Sequence, residues 1–212
     1  WRLTGQRAYL EDLAIQLEHW WTENPFQFGI NWTSALEVAF RALSWVWVDH
    51  LAGADLPAPL RARLIDELYR HGLHLEHNLS IFFSPNTHLL GEAAALHAIG
   101  VLYPKMPRAA RWTELGGRIV REELVNQVLP DGAHFEQSTY YHVYALDLFL
   151  FHYLLAGRPS HFVPVLEQLR DEIAGDEAVR TSDESLHRTL MPSFVQRRSD
   201  QIDAWPAMQR AA

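Results

Sequence analysis

Thr87-His88-Leu89-Leu90-Gly91-Glu92-Ala93-Ala94-Ala95-Leu96-His97-Ala98-Ile99-Gly100-Val101-Leu102 decides the fold class. Ala and Leu, the strongest helix formers, dominate it, and Pro104 lies just beyond, so the stretch predicts a helix over 87–102. Reading forward, a second helix spans 108–128 and stops before Pro130. Asp131-Gly132 makes a turn, and a long apolar helix runs from Glu136 to Leu155, ending at Gly157 and Pro159. A shorter one covers Pro164 to Ile173. Reading backward, Pro57 and Pro59 open a helix through Leu60, Leu64, Leu68 and Leu75, since proline is tolerated where its missing N–H is not needed. Ala35 to Leu51 is apolar on most sides and predicts a buried helix, capped by Thr33 or Ser34 with Glu37 reaching back. From Arg7 to Glu23, Leu10, Leu13, Leu17, Trp20 and Trp21 recur at helical steps. No stretch alternates with period two for long, and no apolar run is uniform enough for a membrane span. The fold class is therefore all-α, built from antiparallel helical hairpins over 1–175. Such hairpins can stack as a bundle, a solenoid or a toroid. Residues 176–212 form a polar tail to which no function is assigned.

Composition narrows the partners. The 212 residues are 48% hydrophobic, enough for a sizeable core, and the net charge of −8 argues against a nucleic-acid partner, which would need a basic face. An acidic substrate would need a local concentration of Arg, His and amide groups. Lys105 is the only lysine, so arginine carries nearly all the positive charge. The absence of cysteine removes disulfide and thiolate chemistry and leaves the compartment open. The chain opens at Trp1 without a methionine or a leader, which reads as a processed or cut end. The 12 histidines show no paired helical spacing that would make a zinc site, so no metal is expected in this segment.

Three clusters could carry chemistry. In the first, Ser84-Pro85-Asn86-Thr87-His88 turns into a helix start, where partial positive charge favours an anion. Asn86 could donate to a substrate carboxyl group and His88 could act as a base; capping of the helix by Asn86 explains the same residues. Glu92, one turn after His88, could orient that ring or pair with an arginine. In the second, Asp131-Gly132 feeds a helix start carrying Gln137, Tyr140 and Tyr141. On a helical wheel Tyr141 aligns with Leu148 and the core, whereas Tyr140 aligns with Glu136, Gln137 and Tyr144 on a polar stripe. Tyr140 is thus the expected reactive phenol, provided its pKa of about 10 is lowered or its proton is passed on in the transition state. An amphipathic core aromatic is the plainer reading. In the third, Asn31, Trp32, Thr33 and Ser34 precede Glu37 and Arg41: Trp32 could stack on a sugar, or the group could be a helix cap with an ion pair one turn apart.

Taken in order, Gln27-Phe28-Gly29-Ile30-Asn31-Trp32, Asn86-Thr87-His88-Leu89-Leu90-Gly91-Glu92 and Asp131-Gly132-Ala133-His134-Phe135-Glu136-Gln137-Ser138-Thr139-Tyr140-Tyr141-His142 resemble the helical domain of the heparinase II/III-like polysaccharide lyases. The resemblance covers most of the chain. It implies an incomplete α/α toroid, with the family's C-terminal β-sandwich domain absent from these residues, and an acidic polysaccharide such as heparan sulfate, heparin or alginate as substrate. It implies that Asn86 neutralises the uronate carboxyl group, that Tyr140 protonates the departing oxygen in a β-elimination, and that His88 lies beside them. Asn31, Trp32 and Gln137 become sugar contacts. No cofactor is implied here; a divalent metal would belong to the β-sandwich, whose histidine serves as base or metal ligand and which His187 does not replace. A periplasmic or secreted location follows from the same resemblance, and a fragment lacking the second domain would be inactive. Two other readings stay open: a glycoside hydrolase using opposed carboxylates among Glu92, Glu136 and Asp147, and a non-catalytic helical scaffold using Trp32, Tyr140 and Tyr144 as stacking surfaces.

Overall fold

The structure is a computed structural model, and it describes residues 1–175; the tail at 176–212 lies outside the described residues. Among the described residues seven α-helices run in order: α1 Ala8–Glu23, α2 Ala35–Ala52, α3 Ala58–Asn78, α4 Thr87–Leu102, α5 Ala109–Gln127, α6 Thr139–Leu155 and α7 Val163–Gly175, with 3₁₀ turns at Ile30–Trp32 and Ser160–Phe162. Among the described residues there is no strand, only an isolated bridge between Val128 and His134. The all-α reading holds, and the boundaries sit within one to three residues of those expected. The chain divides into two compact units, Trp1–Ile119 and Val120 onward, the division falling inside α5.

In the first unit α2 packs against both α3 and α4. Every residue of α4 from Leu89 to Gly100 is buried, so this helix has no polar face to solvent and forms the centre of the unit. Ser34, one of the two caps expected, accepts from the Glu37 amide at 3.3 Å. Pro57 precedes α3 in extended conformation and Pro59 sits in its first turn, where no N–H is missed. Close packing of α3 on α5 depends on Gly72: a Cβ there would lie 2.6 Å from the ring of Trp112, which is fully buried. The same ring donates from Nε1 to Glu76 at 2.8 Å, and Glu76 also takes Arg108 at 2.9 Å and Arg111. One carboxylate of α3 thus gathers three donors from α5 and the turn before it.

In the second unit α6 packs on α7 around Phe149, Phe162, Leu166 and Leu169, each fully buried. Here the expected element differs. The helix expected from Glu136 begins at Thr139, because Ser138 adopts extended backbone and its Oγ accepts from the Tyr141 amide at 3.5 Å. Gln137 stands before the cap with φ +53, a left-handed conformation outside the helix.

Candidate functional site

In the first unit Asn86 is the N-cap of α4: its Oδ1 accepts from the His88 amide at 2.9 Å, while its carbonyl takes the first helical bond from Leu90. Capping and ligand binding therefore use different halves of the amide. The cap occupies the acceptor, and Nδ2, the half that could meet a carboxylate, has no part in it. Asn86 and His88 are both half-buried. Glu92 neither orients His88 nor pairs with an arginine. It is fully buried, and its two oxygens accept from the Ser80 amide and hydroxyl, both at 2.7 Å. Burial raises its pKa against the pull of those two bonds. Glu92 is the tether of the loop that carries Asn86, and its committed oxygens remove it as a hydrolytic carboxylate.

The third cluster sits at the same end of this unit. Trp32, just before α2, packs on His74 in the last turns of α3 with ring centroids 5.4 Å apart, and α3 leads directly into the Asn86 loop. Trp32 itself is only 4% exposed, enclosed by Trp20, Phe26, His71 and His74. A ring covered in this way has no face for a sugar, so the stacking role expected of it is replaced by packing. Asn31 is exposed; its Nδ2 donates to Asn24 Oδ1, leaving Oδ1 as its outward-facing chemistry. Nor does Arg41 act mainly through Glu37: its Nε donates to His71 Nε2 at 2.9 Å and its Nη2 to the Asn31 carbonyl at 3.0 Å.

In the second unit a buried polar chain fixes the turn before α6. Gln127 donates to Glu123 at 2.6 Å and accepts from His134 Nε2 at 3.0 Å. The His134 amide donates to His142 Nδ1 at 3.4 Å, and His142 Nε2 donates to the Leu169 carbonyl at 2.8 Å. One tautomer of each ring satisfies the whole chain. Burial lowers the pKa of His134, with Glu136 opposing and His142 adding to the shift. These two histidines are thus framework groups beneath the turn that presents Gln137, Tyr140 and Tyr141. Gln137 is exposed. The two phenols exchange the environments expected of them: Tyr141 is 41% exposed and Tyr140 is half-buried. Tyr141 does share an angular face with Leu148, but it lies in the first turn of α6 and is exposed where Leu148 is buried. The pKa of Tyr140 is raised, by burial and then by Tyr141, not lowered as base catalysis would need. Tyr144, expected on the polar stripe, is buried. Exposure in the first turn was the signal missed, because a helical wheel carries no axial coordinate.

Among the described residues no three His, Asp or Glu side chains gather as a metal would require, and no helix is long and apolar enough to cross a membrane.

The chain is similar to the heparin-sulfate lyase of Pedobacter heparinus, 28% identical over 178 residues, covering 78% of this chain and 27% of the relative. It is also similar to the heparin-sulfate lyase of Bacteroides stercoris, 34% identical over 86 residues, covering 41% of this chain and 13% of that protein. The crystal structure of heparinase III superposes with a TM-score of 0.69 at 26% identity, over 81% of this chain and 28% of that one. That of heparan sulfate lyase HepC from Pedobacter heparinus gives 0.64 at 26% identity, over 81% and 29%. The chain spans 27% of the length of the first of these curated relatives and 13% of the second. The family described as heparinase II/III N-terminus matches residues 1–164, and the chain belongs to that family.

Proposed function

We propose that this chain is the helical part of a lyase that cleaves a uronate-containing polysaccharide of the heparan sulfate type by β-elimination. The observation that carries the reading is the divided amide of Asn86: Oδ1 is held by the helix start and Nδ2 is left to meet an anion at the positive end of α4. A donor on the uronate carboxylate stabilises the charge that develops when the C5 proton leaves. A base, His88 in this reading, takes the C5 proton; the electron pair of that C–H bond forms the C4–C5 double bond, the C4–oxygen bond breaks, and the departing oxygen gains a proton. A protonated phenol supplies that proton, which suits the pair at the start of α6. Exposure favours Tyr141 over Tyr140 as the donor, and His88 stands within the same loop-to-helix segment as Asn86. Asn31 and Gln137, both exposed, are sugar contacts in this reading. In this reading the substrate implies a periplasmic or secreted location, and any divalent metal lies outside the described residues.

The test is ultraviolet absorbance, because elimination creates a double bond conjugated to the carboxylate and hydrolysis does not. The chain, and any longer product of its gene, is incubated with heparan sulfate, heparin, alginate and hyaluronan. A rise on heparan sulfate is expected. Tyr141→Phe should cut turnover by about 10²-fold or more, whereas Tyr140→Phe should retain most of it. New reducing ends without absorbance would establish a hydrolase, and the reverse order of the two phenylalanine variants would return the role to Tyr140.

A further inference from the structure

Residues 27–31 form an unusual loop. Gln27 and Gly29 both have positive φ, +62 and +85, and a Cβ at Gly29 would meet nothing within 4 Å, so backbone conformation alone demands glycine there. Phe28 and Ile30 are 77% and 82% exposed. Left-handed backbone at a residue other than glycine, as at Gln27, costs free energy and persists only where the surroundings over-determine it. The surroundings here are polar and cationic. Arg41 lies 4.5 Å from the centroid of Trp20 and 5.0 Å from that of Trp32, and from this position it reaches the Asn31 carbonyl with Nη2 and His71 with Nε. His71 Nδ1 donates to the Glu67 carbonyl at 2.7 Å, which leaves Nε2 as the acceptor Arg41 needs. Burial pushes Arg41 down to about 10, so it stays cationic at neutral pH. From the other side, Asn31 Nδ2 holds Asn24, which in turn donates to the Trp20 carbonyl at 2.9 Å.

Resting on the lyase reading, we propose that residues 27–31 are a second subsite for the polysaccharide, recognising the uncharged side of a sugar unit, with Arg41 as the positioning residue that holds the loop. Phe28 and Ile30 cover the C–H face of the ring and Asn31 Oδ1 accepts from a hydroxyl group. The loop stands at the end of the first unit where α2 and α4 begin, the end that carries Asn86, so one saccharide chain can run over both. Only arginine suits position 41, because two donors in one plane must serve His71 and the Asn31 carbonyl while the flat face packs on two indoles.

Binding separates this subsite from the chemistry. The protein is titrated with a heparan sulfate oligosaccharide and with the same oligosaccharide after desulfation and carboxyl reduction. Phe28→Ala combined with Ile30→Ala should weaken both ligands by the same factor, about tenfold, while Asn86→Ala should weaken only the charged one. Arg41→Lys should raise KM about tenfold with little change in kcat, and should speed amide exchange across residues 24–34 while the exchange of α4 stays unchanged. Unaltered binding in the double variant, unaltered loop exchange in Arg41→Lys, or no binding of either oligosaccharide by the wild type overturns the proposal. Binding without elimination would remove the lyase reading and leave the subsite standing.

Discussion

Asn86 shows how two roles can be divided between the atoms of one side chain. Asn86→Asp keeps an oxygen for the His88 amide and adds a charge favourable to the helix start, so stability should stay within about 0.5 kcal/mol of wild type. The same change replaces Nδ2 with a second acceptor that repels a carboxylate, so elimination should be lost. Asn86→Ala removes both functions, and thermal unfolding should register about 1 kcal/mol for the missing cap. An active Asp variant would show that the donor half of the amide is idle. The cap was legible in the sequence, since Asn is among the commonest residues at a helix start. The environments of Tyr140 and Tyr141 were not, because they depend on where α6 starts, and that is set by Ser138 after a left-handed Gln137. Burial of Trp32 was equally hidden: its neighbours Trp20, His71 and His74 come from other helices.

At the level of elements, period and proline placement sufficed for all seven helices, because each carries its own stop or start chemistry. What they could not reveal is how the helices are joined. Glu76 is an example: on α3 it looks like a solvated acid, yet its side chain is 3% exposed and receives Trp112, Arg111 and Arg108. Burial alone would raise its pKa, but the three hydrogen bonds outweigh that and hold it below the usual carboxylate range. Glu76→Ala leaves the buried indole N–H of Trp112 unpaired, while Arg108 and Arg111, 43% and 66% exposed, turn to solvent, and should cost about 1–3 kcal/mol, read as a lowered urea midpoint at pH 7. A loss below about 0.5 kcal/mol, typical of an exposed pair, would mean that the cluster is solvated in solution.

For the whole molecule, the histidines set the response to acid. His71 is pushed down to about 3, by burial first and then by the charge of Arg41; His74 and His134 are lowered as well, again chiefly by burial. A histidine whose folded pKa lies below its unfolded value of about 6.5 favours the native state above that value, and this contribution is lost as pH falls toward the folded pKa. Stability should therefore be level above pH 7 and decline below about 6.5, by at most about 1.4 kcal/mol per pH unit for each such histidine. Tryptophan fluorescence during urea unfolding, followed from pH 8 to 5, measures the slope; a level profile would mean these rings are protonated in the native state. Glu67 and Glu92, raised by burial, oppose this loss already above the usual carboxylate range, whereas Glu76, held below that range, adds to the loss only as pH falls through it. This behaviour could not be read from a count of 12 histidines, since only packing separates the buried rings from the exposed ones.

The meeting of Gly72 with Trp112 has a genetic consequence. Position 72 has room for a hydrogen atom and position 112 for an indole that is also tied to Glu76, so neither can drift alone. In a mutagenesis library, survivors bearing alanine at 72 should carry compensating changes at 112, and lineages of this domain should cross between such pairs only through a poorly folded intermediate.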